Sequence, residues 1–190
     1  LVPVLIGSSL NNIGIHTLLN MVSAYLPSPI DKEVCEGVKP GSTEKVQRKV
    51  DKNEPFSALV FKTIVDPFVG KISLFNVCSG KITKDADVLN VNKDETERIG
   101  SLFLLRGKNQ IEVNTIIAGD IGATAKLQYT ETGDTLCDKN NPIQFNNIEY
   151  PEPCLFLAVE PKAKGDEEKI GSSLTRMTEE DPTFTVQRNA

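Results

Sequence analysis

The side chains best equipped for chemistry are few. Cys35, Cys78, Cys137 and Cys154 supply the thiols, and His16 is the lone imidazole. A structural zinc site asks for ligand pairs such as Cys-x-x-Cys or Cys-x-x-His, because four donors must converge on one small ion. No such pair exists, and His16 has neither a second imidazole nor a thiol near it in sequence. The thiols therefore read as ordinary, mostly buried side chains rather than as a disulfide framework, and His16 as a residue on a helix. A Gly-x-Ser-x-Gly nucleophile turn and a His-Glu-x-x-His metal helix are both missing. These residues assign no catalytic group and no metal site.

Phosphate chemistry needs other parts. A P-loop, Gly-x-x-x-x-Gly-Lys-Ser/Thr, cradles phosphates with backbone amides and sets a hydroxyl on Mg²⁺. Gly70-Lys71-Ile72 and Gly80-Lys81-Ile82 lack both the hydroxyl after the lysine and the upstream glycine. Asp66 to Gly70 is one residue too long for an Asp-x-x-Gly magnesium element. Asn92-Lys93-Asp94-Glu95 has Glu where a guanine-reading Asn-Lys-x-Asp needs Asp, and reads as a solvated turn. By itself, the chain is expected neither to hold a nucleotide tightly nor to hydrolyse one.

The chain has 190 residues, 39% hydrophobic and 25% charged, with 21 basic and 26 acidic side chains and a net charge of −5. That composition belongs to a folded soluble protein able to bury a core without disulfides. No apolar run approaches the ~20 residues of a membrane-spanning helix, and the acidic balance disfavours indiscriminate DNA binding. Leu1–Ile6 reads as a buried strand entered midway, with no initiating Met and no charged segment that would make it a signal peptide. Ile15, Leu18, Leu19, Val22, Tyr25 and Leu26 trace a helical stripe that Pro27 and Pro29 end.

Residues 31–54 are charged and turn-rich, which is the composition of a linker. Residues 55–150 alternate about eight short β-rich runs with Gly, Asp and Asn turns, the pattern of a closed antiparallel barrel. After Pro151-Glu152-Pro153, a buried strand is expected at 154–160, a helix at about 166–180 with Ile170, Leu174 and Met177 as its stripe, and a strand at 183–186.

In colinear order these pieces resemble translational GTPases of the elongation factor G family. Pro3-Val4-Leu5-Ile6-Gly7-Ser8-Ser9 is similar to the last guanine-binding loop of that family's G domain, and Tyr25-Leu26-Pro27-Ser28-Pro29 to its exit. Glu54–Lys62, Asp66–Lys71, Ala118–Ile121 and Thr132–Cys137 resemble domain II; Glu152-Pro153, Ala158–Lys162 and Glu179–Phe184 resemble the start of domain III. Asn76-Val77-Cys78-Ser79-Gly80 departs from the family's usual Arg-x-Tyr-Ser-Gly, which points to a diverged paralogue.

The resemblance implies a mainly β chain: a translation-factor-type antiparallel barrel (55–150) between a β-α remnant of a G domain (1–30), a linker (31–54), and a β-α-β piece of a ferredoxin-like α+β domain (151–190). It implies a piece of a cytoplasmic GTPase that moves tRNA and mRNA through the ribosome, with GTP and Mg²⁺ bound by the parent and not by this piece. Gly7, Ser8 and Ser9 would face the guanine base. Lys71, Ser79, Lys81 and Arg98 would contact small-subunit rRNA, and the remainder of the parent would be the other partner, with no membrane and no DNA involved. A ribosomal protection protein or release-factor GTPase, or a stand-alone binding barrel, are the alternatives.

Overall fold

A computed structural model describes residues 2–66, 69–107, 109–163 and 165–187. Leu1 of the expected first strand, Pro67 and Phe68 of the Asp66–Gly70 turn, and Lys108 of the Gly107–Asn109 turn lie outside the described residues. The chain divides into two units, residues 1–33 and 34–190.

In the first unit the expected helix is present as α1, Ile15–Tyr25. Its C-terminal turn closes with the Leu26 N–H donating to Val22 O at 3.1 Å, and Pro27, which cannot donate, follows. Over its described residues, 2–6, the expected first strand is not formed. Val4 and Ile6 are largely exposed, and no other segment among the described residues pairs with them. A strand is stable only when its N–H and C=O groups meet a neighbour, so apolar content alone does not make one.

The second unit opens on structure where a linker is expected. Residues 31–54 are not all linker: they contain a β-hairpin, β1 (Val34–Val38) and β2 (Lys45–Lys49), paired antiparallel with Cys35 opposite Arg48. Its lysines and turn residues gave it a linker's composition, but along β2 Val46 and Arg48 are half-buried between exposed Lys45, Gln47 and Lys49. That period of two belongs to a sheet with one covered face.

Among the described residues ten further strands follow: β3 (Ser57–Asp66), β4 (Gly70–Ser79), β5 (Lys81–Thr83), β6 (Asp87–Asn90), β7 (Glu95–Arg98), β8 (Leu102–Arg106), β9 (Asn109–Val113), β10 (Thr115–Ile117), β11 (Ile121–Ala125) and β12 (Thr135–Cys137). Eight of them form one antiparallel sheet in the order β7-β6-β12-β3-β4-β11-β8-β9, and β5 pairs with β10. Val88 of β6 and Leu102 of β8 are separated by four intervening strands, yet share one core with Phe75, Ile82, Ile116 and Leu136. Only a sheet that curls around its own inner face brings them together, so the antiparallel barrel is the observed architecture. Alternate residues point outward: Leu136 enters the barrel core, whereas Cys137 joins Cys35, Ile143 and Phe145 beneath the hairpin.

Beyond the barrel, α2 (Glu167–Glu180) forms where expected. Ile170 and Leu174 are half-buried and Met177 is exposed. The Glu180 carboxylate accepts the Val65 N–H at 2.7 Å, tying the end of α2 to β3. The strands expected at 154–160 and 183–186 are not formed, and Leu155, Phe156 and Leu157 are each at least 75% exposed. As at 1–6, the apolar sequence is there and a partner strand among the described residues is not.

Candidate nucleic-acid interface

The base-facing loop is compact. Ser8 N–H donates to Ile13 O at 3.0 Å and Ile13 N–H donates to Ser8 O at 2.9 Å. A Cβ on Gly7 would sit 2.7 Å from Ile13 O, so only glycine fits this close approach. The Ser8 amide, expected to face a guanine, is therefore engaged within the loop. The Ser9 N–H has no acceptor among the described residues.

The four expected phosphate contacts do not converge. Lys71 and Ser79 stand near opposite ends of β4, roughly 26 Å apart at about 3.3 Å per residue. Ser79 is fully buried; its hydroxyl lies 2.6 Å from Ser57 Oγ and donates to Pro55 O at 2.7 Å. A buried hydroxyl with both partners inside the protein offers nothing to an external phosphate, so Ser79 is a structural residue of the barrel turn. Burial was invisible in Cys78-Ser79-Gly80, which reads locally as a polar turn.

Lys81, next along the chain, is exposed and lines a shallow groove of about 490 Å³ with Lys52, Thr83 and Asp87. Asp87 stands opposite Arg98 across β6 and β7, so Arg98 belongs to the same end of the barrel as Lys81. Arg98 Nη2 meets Asp85 Oδ1 at 3.2 Å with both groups well exposed, a contact weak enough to exchange for a phosphate. Nearby, Lys84 Nζ reaches Glu112 Oε1 at 2.7 Å. The hydrogen bond to Glu112, with its charge, raises the Lys84 pKa; the same bond holds the Glu112 carboxyl below the ordinary range. Both shifts favour the charged forms, Lys84 as ammonium and Glu112 as carboxylate.

At the other end Lys71 has company the sequence did not flag. Its carbonyl accepts the Lys126 N–H at 2.9 Å, and Lys126 is exposed with φ +65°. Val65, opposite Lys71 across β3 and β4, accepts from Arg176 Nη2 at 3.4 Å. These main-chain contacts bring Lys71, Lys126 and Arg176, from three segments far apart in sequence, to one end of the barrel; Lys71 is half-buried, Lys126 and Arg176 are exposed, and the Glu180 carboxylate lies beside them on the Val65 N–H.

The thiols remain chemically quiet at the core. Cys137 is fully buried, and that burial pushes its thiol pKa up, which keeps it protonated and poorly nucleophilic. Cys154 is exposed. Iodoacetamide at pH 8 should alkylate Cys154 in the folded chain on the order of 100-fold faster than Cys137, and denaturant should abolish the difference. Peptide mapping by mass spectrometry reads this, and equal rates in the folded chain would contradict the barrel packing. Among the described residues no cluster of three or more His, Cys, Asp or Glu side chains is arranged to hold a metal ion. No described helix is long and apolar enough to cross a membrane.

Comparison with known proteins agrees with this architecture. Residues 55–139 match the family described as elongation factor G domain 2, and residues 150–190 match elongation factor G, domain III. A crystal structure of a protein from Thermus thermophilus superposes with a TM-score of 0.72 at 26% sequence identity. The match covers 98% of this chain and 26% of that one, so the chain spans about a quarter of its neighbour's length. With the two domain families in order along the chain, and the barrel that the first of them requires, the protein belongs to the elongation factor G family of translation factors.

Proposed function

We propose that this chain is the ribosome-facing barrel module of a cytoplasmic GTPase that promotes GTP-dependent translocation of tRNA and mRNA. The observation that carries the reading is the succession of domain 2 and domain III matches along residues 55–190, on a barrel whose two ends carry exposed basic groups. Lys81 and Arg98 at one end, and Lys71 at the other, would take rRNA phosphates, which position a protein on RNA without reading its sequence. GTP and Mg²⁺ would be held by parts of the parent that carry a P-loop. The loop Gly7-Ser8-Ser9 would lie at the base, with the Ser9 amide as the donor left for a guanine oxygen. The barrel itself does no bond-breaking; its part is to dock the parent and to support the GTPase against the small subunit.

The test uses the full-length protein that contains this chain, with ribosomes stalled before translocation. A GTP-dependent advance of the ribosome along its message by one codon is the expected result. Release of ribosome-bound tetracycline without such an advance would replace the reading with a ribosomal protection protein.

A further inference from the structure

The hairpin β1–β2 lies outside both matched domain regions and carries a charge opposite to that of the chain. From Val34 to Lys49 there are four basic side chains against two acidic ones, four minus two giving +2 in a protein of net charge −5. Strand alternation sorts them. Val46 and Arg48 turn toward the barrel, and Lys45, Gln47 and Lys49 stand on the exposed face. Lys45 and Lys49 are four residues apart on one strand, which separates their Cα atoms by roughly 13 Å.

Neither lysine has a carboxylate partner among the described residues. Across the strand pair, Glu36 stands opposite Gln47 and accepts from its amide at 2.9 Å. Lys39, just past the end of β1, is also exposed and without an ion pair among the described residues. Arg48, facing the barrel, donates from Nη2 to Asn141 O at 3.1 Å, so a fourth positive charge lies on the covered side of the strand.

The platform is fixed rather than floppy. Val38 and Gln144 exchange two backbone hydrogen bonds of 2.8 Å each. A Cβ on Gly37 would approach Gln144 O to 2.6 Å and Ile143 Cγ1 to 2.7 Å, so the strand is seated directly on the segment after β12. Cys35, Ile143 and Phe145 form the apolar seal beneath. A strand already fixed in place gives up little backbone freedom when it meets a polyanion, so only the lysine side chains have to be ordered.

From this arrangement we infer that the outward face of the hairpin, Lys39, Lys45 and Lys49, is a second docking surface for an RNA phosphate backbone. It is separate from the groove at Lys81, which none of these three lysines lines. The choice of RNA as the polyanion rests on the ribosome-facing reading above; the charge row and its rigid seat do not.

The experiment measures binding of the 190-residue chain to isolated small ribosomal subunits between 50 and 200 mM salt, with a poly-glutamate peptide and vesicles of phosphatidylserine as alternative polyanions. The double substitution Lys45→Glu/Lys49→Glu is compared with Lys81→Glu, and thermal melting checks that each variant is folded. The expected result is a loss of about tenfold or more in subunit affinity for the hairpin variant, a log–log salt slope smaller by about 2, and an unchanged melt. A change under about twofold with an unaltered slope, while the wild-type chain still binds subunits, overturns the hairpin surface and leaves the ribosome reading standing. Wild-type chain that ignores subunits overturns both. Hairpin-dependent binding to poly-glutamate or to vesicles as tight as to subunits overturns RNA as the occupant.

Discussion

Glu97→Ala is expected to lower the stability of the barrel by about 3 kcal/mol, because it strips a buried carboxylate from several donors at once. Glu97 is 5% exposed and points inward from β7, the last strand of the sheet. Its Oε2 accepts the Gln128 N–H at 2.6 Å, and its Oε1 accepts the Tyr129 N–H at 3.2 Å and the Thr130 hydroxyl. Thr130 Oγ1 in turn accepts from Asn90 Nδ2 at 3.1 Å, which also donates to Asp134 Oδ2 at 2.9 Å. One carboxylate thus pins the loop between β11 and β12 over the edge of the barrel.

Alanine would leave those donors buried without acceptors, which costs more than the bonds contribute net when formed. Glu97→Gln keeps the volume but places an amide where only acceptors are wanted, and should cost about 2 kcal/mol. Urea denaturation measures both, and thermal melting should fall by roughly 6–12 °C for alanine. A loss under about 1 kcal/mol for alanine would mean that the loop is held by something else.

Gly80→Ala is the second large effect, about 3 kcal/mol by the sum of a left-handed backbone and a hard clash. Gly80 has φ +71°, and an added Cβ would stand 2.5 Å from Glu54 O and 2.7 Å from both Phe56 N and Phe56 Cα. All three are backbone atoms with no rotamer to escape into. Gly80 also binds on both sides, donating to Asp51 O at 2.8 Å and accepting from Ala118 N at 2.9 Å. Gly133→Ala is the control. Its φ is +99°, but a Cβ there meets nothing within 4 Å, so only the backbone penalty of about 1 kcal/mol remains. If the two substitutions cost the same, the crowding at the crossing of residues 54–56 and 80 is not what selects glycine. Because Gly80 joins Ser79 to Lys81, displacing it should also misplace the Lys81 ammonium.

Local pattern made some elements legible and left others hidden, for physical reasons. α1 and α2 are readable because a stripe at helical spacing, closed by proline or Asp-Pro, needs no other segment to satisfy its backbone. The barrel is readable because its turns repeat and its runs are β-branched. Residues 1–6, 154–160 and 183–186 look equally strand-like, yet a strand is a relation between segments and these have no partner among the described residues. The hairpin β1–β2 was masked by its lysines: its covered face is only Val46 and Arg48 on one strand and Cys35 and Gly37 on the other, too few apolar residues to stand out in a charged stretch.

The candidate site was harder still. Lys81 and Arg98 do share one end of the barrel, but Ser79 faces inward, which a three-residue turn cannot reveal. Lys126 and Arg176 join Lys71 only through the pairing of β3, β4 and β11 and the docking of α2. The Glu97 carboxylate carries no motif at all; its role follows from being on the inner face of an edge strand. Asn92 opens a near-miss to a guanine-reading motif, and in the structure its Oδ1 accepts the Thr135 N–H at 2.9 Å, making it a staple between the β6–β7 turn and β12.

Docking of this barrel on the small ribosomal subunit through exposed basic groups is measured by co-sedimentation with purified small subunits followed by hydroxyl-radical footprinting of the rRNA. The expected result is saturable binding that weakens steeply with salt, protection of a discrete rRNA region, and loss of part of that protection with Lys81→Glu/Arg98→Glu in a folded chain. Sedimentation no greater than that of an unrelated acidic protein, or protection unchanged by removal of these charges, would contradict it.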